Sequence, residues 1–104
     1  MLVSALIRRV QQAAGFAVVV RKGDPQAGAI LLECRDRGAT PAWLERASDL
    51  DGRDSWRVAG PADSDPEAVN AWIAKRVRSD PDMWHIELDI ADAQRLAAEI
   101  IGLT

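Results

Sequence analysis

The chain has 104 residues, 48% of them hydrophobic and 28% charged, with a net charge of −3. That length suits a single domain with one core, and the composition excludes an intrinsically disordered chain. Cys34 is the only cysteine, which excludes an internal disulfide and a cysteine-based zinc site within the chain. No apolar run approaches the roughly 20 residues of a membrane span.

The segment Met1 to Arg9 has an apolar run followed by arginines, whereas a secretion signal carries its charge before a longer apolar run. The expected location is therefore cytoplasmic. Leu2, Val3, Leu6, Ile7, Val10, Ala13 and Ala14 recur at steps of three and four, which predicts a helix over 2–14. Gly15 is placed to close it in the left-handed conformation.

Phe16 to Arg21 contains the β-branched run Val18-Val19-Val20 and reads as a strand with Phe16, Val18 and Val20 on its core face. Lys22-Gly23-Asp24-Pro25-Gln26 has turn composition. A second strand follows from about Ala27 to Arg35, with Ile30, Leu32 and Cys34 inward and Glu33 and Arg35 on the wet face. Together these two strands read as a hairpin.

Asp36-Arg37-Gly38 predicts another turn, and Thr40 to Arg46 a third strand with Leu44 inward and Glu45 outward. Pro41 lacks a backbone donor and belongs near the start of that strand or at an edge. A loop around Asp51-Gly52 leads to a short fourth strand at Ser55–Val58, with Trp56 and Val58 inward. Short connections favour an antiparallel meander, because parallel strands need long crossovers.

A second helix starts near Ser64 or Asp65. Ser64 with Glu67 fits a capping box, and Asp65 before Pro66 fits a cap followed by proline at the first helical position. Its stripe is Val69, Trp72, Ile73 and Val77, and it stops at Ser79-Asp80-Pro81. Trp84, Ile86 and Leu88 then alternate with His85, Glu87 and Asp89, a fifth strand. A third helix covers about Ala91 to Ile101, with Gly102 as its stop.

The expected fold class is α+β, a mostly antiparallel sheet of about five strands with helices on one face, in the order α-β-β-β-β-α-β-α. The place of the fifth strand stays open: either edge, or between two others.

The chemistry-bearing residues are sparse. His85, Glu87 and Asp89 share a strand face, and their plain reading is the solvent side of that strand. The carboxylates at Asp80-Pro81-Asp82 and at Asp49, Asp51 and Asp54 do not follow the calcium-loop pattern and read as turns and caps. Gly23 and Gly28 have the first spacing of a phosphate loop without the lysine and hydroxyl residue that complete it. Cys34 falls on a buried strand face, where a thiol is inert. No catalytic set, metal site or cofactor motif is expected.

Charge is unevenly placed. The first 22 residues hold Arg8, Arg9, Arg21 and Lys22 with no acid. With Gly23 and Asp24 they form the candidate binding group, since backbone amides at such a turn can face an anion. The acidic remainder argues against nucleic acid. Trp43 lies on the face opposite Leu44 and is a candidate anchor for a partner, with core packing as its other reading.

Several stretches resemble the bacterial family catalogued as domain of unknown function 1491. They are Ser4-Ala5-Leu6-Ile7-Arg8-Arg9-Val10, Gly15-Phe16, and the run Arg21-Lys22-Gly23-Asp24-Pro25-Gln26-Ala27-Gly28-Ala29-Ile30. Leu44-Glu45-Arg46, Asp51-Gly52, Trp56 and Asp80-Pro81-Asp82 with Trp84 are similar to its later landmarks. Family members carry two glycines before the phenylalanine, whereas Ala14 precedes Gly15 here. The resemblance implies a small cytoplasmic bacterial protein and carries over no catalytic residue. The leading functional expectation is a non-enzymatic binding or adaptor module, with a homodimer or another protein as partner and no membrane. The alternative is an anion or small-molecule site, or an enzyme, built on the Arg21–Asp24 turn with Asp24 or His85 as polar partner.

Overall fold

The helical periodicity of the N-terminus becomes α1 (Leu2–Gln12). It is followed by β1 (Phe16–Arg21), β2 (Ile30–Arg35), β3 (Ala42–Ser48), β4 (Asp54–Ala59), α2 (Pro66–Ser79), β5 (Trp84–Asp89) and α3 (Ala93–Leu103). The structure, a computed structural model, describes residues 2–24, 29–35, 42–48, 54–60 and 65–103. The expected turns at Asp36–Gly38 and Asp51-Gly52, the Pro41 position and the Ser64 cap lie outside the described residues.

The α+β class and the element order are as the sequence predicts. The strand order is β1-β5-β2-β3-β4. β2, β3 and β4 form the expected antiparallel meander. β1 and β2 are not a hairpin, however, because β5 lies between them, antiparallel to β1 and parallel to β2. Two strand spacings of about 4.8 Å separate β1 from β2, which no tight turn spans.

The connection leaving β1 instead crosses the start of β5 and is bonded to it. The Asp24 amide donates to the Asp82 carbonyl (2.9 Å), and the Trp84 indole donates to the Asp24 carbonyl (2.8 Å). At the other end of the crossing, the Trp84 amide donates to Ala29 (2.8 Å). Gly23 fits because it has no side chain: a Cβ there would lie 2.1 Å from the Asp82 carbonyl oxygen.

Helices cover both faces of the sheet, not one. On the first face, Val3, Leu6 and Val10 of α1 and Ala93 and Ala97 of α3 pack on alternate residues of the inner strands, including Leu32, Ile86 and Leu88. On the second face, Val69, Trp72, Ile73 and Val77 of α2 pack over Leu31, Trp43 and Met83. Leu31 and Leu32 point opposite ways because strand side chains alternate, so β2 is buried on both sides. Trp43 meets Trp72 edge to face, with centroids 5.4 Å apart at 70°. No α2 residue is fully buried, so α2 is the shallower cover.

Local signals hold with small shifts. Asp65 caps α2, its carboxylate accepting from the Glu67 amide (3.2 Å), and Pro66 is the first helical residue. α1 ends two residues before Ala14. The Ala14 amide donates to Gln11 and the Gly15 amide to Val10, the paired bonds of a Schellman closure. The left-handed residue is Ala14 (φ 64°), not Gly15. Gly15 is needed for space, since a Cβ would lie 2.7 Å from Ile90. α3 runs through Gly102 rather than stopping there.

Two glycine exchanges should move stability in opposite directions. Ala14→Gly removes a left-handed alanine and is expected to stabilise by about 1 kcal/mol. Gly23→Ala forces a methyl into the Asp82 carbonyl and should cost at least about 2 kcal/mol. Urea unfolding of both variants measures this, and a destabilised Ala14→Gly or a neutral Gly23→Ala would contradict the geometry.

Candidate functional site

On the second face, the parallel register of β2 and β5 sets Leu31 beside His85, Glu33 beside Glu87 and Arg35 beside Asp89. Because both strands are interior, Glu33 and His85 are not on the wet surface that alternation alone suggests, while Arg35, Glu87 and Asp89 are partly exposed. Glu33 is 8% exposed and His85 5%. A buried charge persists only with partners, and these residues supply them to one another. His85 Nε2 lies 2.9 Å from Glu33 Oε1; a carboxylate only accepts, so Nε2 carries the hydrogen. Arg35 Nε donates to Glu33 Oε2 (2.8 Å) and lies 3.1 Å from Glu87 Oε1. The Trp43 ring covers His85 at 5.5 Å.

A second knot ties α2 to the sheet. Glu45, also buried, accepts from Arg57 of β4 (2.6 Å) and pairs with Arg76 of α2. Both knots are consumed by internal pairing. Among the described residues, no group of three His, Cys, Asp or Glu side chains could hold a metal ion. Cys34 faces away from His85, and burial with the nearby Glu33 charge pushes its thiol up to about 12, so it is no nucleophile at neutral pH.

Trp43 is buried beneath α2 and so is not an exposed anchor. Arg8 is exposed on α1, and Arg9 pairs with Glu99 of α3 at 3.7 Å. Arg21 donates to the Pro81 carbonyl (3.0 Å), Lys22 is exposed, and Gly23 and Asp24 grip the start of β5. The turn thus has a packing role, and the structure does not bring the Arg8–Arg9 pair and the turn into one described site.

The feature missed by sequence reasoning is the exposure of β1. Phe16 is 73% exposed, Val18 51% and Val20 52%, where a core face was expected. Val58 of β4, also read as inward, is exposed. β1 is an edge strand, and its first half pairs regularly with β5 up to Val19, where a register irregularity begins. Beside Phe16, residues 13–15 and 89–91 line an open depression of about 390 Å³. The available signal was the all-apolar run Phe16–Val20: a strand apolar on both faces is either fully buried or, as here, left unpartnered at an edge.

Burial by itself would raise the Glu33 carboxyl, but the hydrogen bonds and charges of His85 and Arg35 outweigh it and hold it below its ordinary 4.5. Its contribution to stability is complete above that value. It is lost as pH falls through the lower folded value, because the unfolded chain takes the proton first. Glu33→Gln should therefore flatten the acid limb of a stability–pH curve and cost about 1–3 kcal/mol at neutral pH. Thermal unfolding from pH 7 to pH 3 checks this, and an acid limb identical to that of the parent chain would refute it.

The family described as protein of unknown function (DUF1491) matches residues 1–98. A crystal structure of a DUF1491 family protein from Caulobacter crescentus CB15 is 34% identical with a TM-score of 0.77, over 90% of this chain and 88% of that one. An NMR structure of a DUF1491 family protein from the same organism is 33% identical with a TM-score of 0.74, over 91% and 86%. The solution structure of protein Atu0922 from A. tumefaciens is 33% identical with a TM-score of 0.71, over 92% and 87%. Nothing among the curated proteins matches the chain. With nearly the whole sequence matched and the same fold in relatives about one-third identical, the chain belongs to the DUF1491 family.

Proposed function

We propose that this protein is a non-enzymatic, cytoplasmic binding module that takes an extended protein segment onto the free edge of β1. The observation that carries this reading is the cluster of Phe16, Val18, Val19 and Val20, all exposed on one edge strand. Contiguous exposed apolar surface marks interaction sites. An open edge also presents unpaired backbone groups to which a strand can add. The opposite edge, β4, carries Arg57 within it, a charge of the kind that protects edges. From Phe16 to Val20, β1 has no charge and no proline.

The buried thiol of Cys34 fits a reducing compartment, and no helix in the described residues is long and apolar enough to cross a membrane. The alternative anion site at the Arg21–Asp24 turn is less well supported. There the Asp24 amide and the Arg21 guanidinium already donate to carbonyls of residues 81 and 82. The paired charges around Glu33 and Glu45 favour scaffold over catalysis.

Amide exchange in the presence of an extended synthetic peptide of alternating threonine and valine tests the reading. Those amides of residues 16–20 that do not already donate to β5 should exchange at least about tenfold more slowly in the parent chain than in Val18→Lys with the same peptide. Equal exchange in the two proteins would remove β1 as a binding edge.

A further inference from the structure

The five-residue run Phe16–Val20 is uncharged, begins after Gly15 and ends at Arg21-Lys22. Its acidic neighbours on β5 lie along its first half. Asp89 is opposite Phe16 and Glu87 opposite Val18 on β5, whereas Arg21 is opposite His85. The apolar edge therefore carries a charge gradient, with Asp89 and the Arg35-paired Glu87 beside its first half and Arg21 at its end. A strand added to it meets this gradient.

A partner strand that fits is apolar for five residues, with a basic end that lands beside Phe16 and Asp89. β1 of a second copy, running antiparallel, has that pattern. Resting on the reading of β1 as the binding edge, we infer that its occupant is β1 of a second copy of this chain, paired antiparallel about Val18 so that two five-stranded sheets become one of ten strands.

In that register Val18 faces Val18 of the second copy and Phe16 faces its Val20. Arg21 and Lys22 of each copy pass beside Gly15 and Ala14 of the other, over the open depression that Asp89 helps line. The cations approach Asp89, and no like charges meet in the centre. Parallel pairing would set Arg21 and Lys22 against their own copies, which cross-strand repulsion disfavours. Sliding the antiparallel register toward the C-termini has the same effect. The pairing is isologous, as a twofold dimer requires. The irregularity beyond Val19 limits regular pairing to the first part of the strand, so the ladder is short and side-chain burial by Phe16 and the valines supplies most of the association.

Sedimentation of the full chain without peptide, from about 1 µM to 1 mM, tests the proposal together with a cross-linking variant. A concentration-dependent dimer is expected, weakened at least about tenfold by Val18→Lys and weakened by Lys22→Glu in a salt-dependent way. Directly opposed antiparallel residues have Cα atoms about 4.5–5.5 Å apart, within disulfide reach. Val18→Cys should therefore link two copies under mild oxidation, while Val58→Cys on the other edge should not. This arm needs no loss of association and so stands even if Val18→Lys fails to fold.

A chain monomeric throughout whose β1 amides are nevertheless protected by the peptide would overturn the second copy as occupant and leave the binding edge standing. A monomer with unprotected β1 amides would remove both. A dimer unaffected by Val18→Lys and not linked through Val18→Cys would place the interface elsewhere and overturn the proposal.

Discussion

The insertion of β5 between β1 and β2 is the constraint on which the rest of this structure depends. It makes β2 and β5 interior strands, leaves β1 at an edge, and rules out a hairpin for the first two strands. The insertion is held by close backbone approach. The connection after β1 crosses the entrance to β5, with Gly23 against the Asp82 carbonyl and the Trp84 indole on the Asp24 carbonyl. The Arg-Lys-Gly-Asp segment, where the resemblance to the family is most distinctive, is thus a strap that seats the fifth strand.

Interior placement explains the charged residues of the second face. Glu33, His85, Arg35 and Glu87 come from two adjacent parallel strands and are shielded from solvent to different degrees. In the buried part, isolated ionised groups would be costly, and hydrogen-bonded chains of opposite charge reduce that cost. Glu45 solves the same problem with one arginine from β4 and one from α2. That arrangement also draws α2 onto the sheet, where Trp72 and its apolar neighbours cover Trp43 without any α2 residue becoming fully buried. Both networks are better accounts of how the second face is closed than of any chemistry performed there.

Among the described residues, the same topology leaves β1 paired on one side only. Its first face shares in the packing under α1 through Ala17, but its second-face residues Phe16 and Val18 lie beyond the reach of α2's apolar stripe. A protein edge is ordinarily blunted by charge, proline or a bulge. Here the irregularity falls only near the end of the strand, and its one charge is the last residue, Arg21. The exposure of this edge is therefore a consequence of the strand order, and the proposed interaction calls for no separate binding loop or pocket.

Much of the fold was legible locally. Periodicities of 3.6 and 2 gave all eight elements in order, Asp65-Pro66 gave the start of α2, and the inward set Ile30, Leu32, Cys34, Ile86 and Leu88 was read correctly. The candidate site was hardly legible at all: Phe16, Val18 and Val20 were assigned to the core, and Glu33 and His85 to water. The errors share one cause. Alternation sorts a strand's residues into two faces, but says nothing about which strand lies alongside or what covers each face. By itself the sequence determined the elements, the start of α2 and the two-sided pattern of each strand, because these depend on neighbours along the chain. Only the tertiary structure decided that β5 sits between β1 and β2, that α2 closes the second face, and that β1 is left open, because those follow from contacts between residues up to about 70 positions apart, such as Phe16 and Asp89.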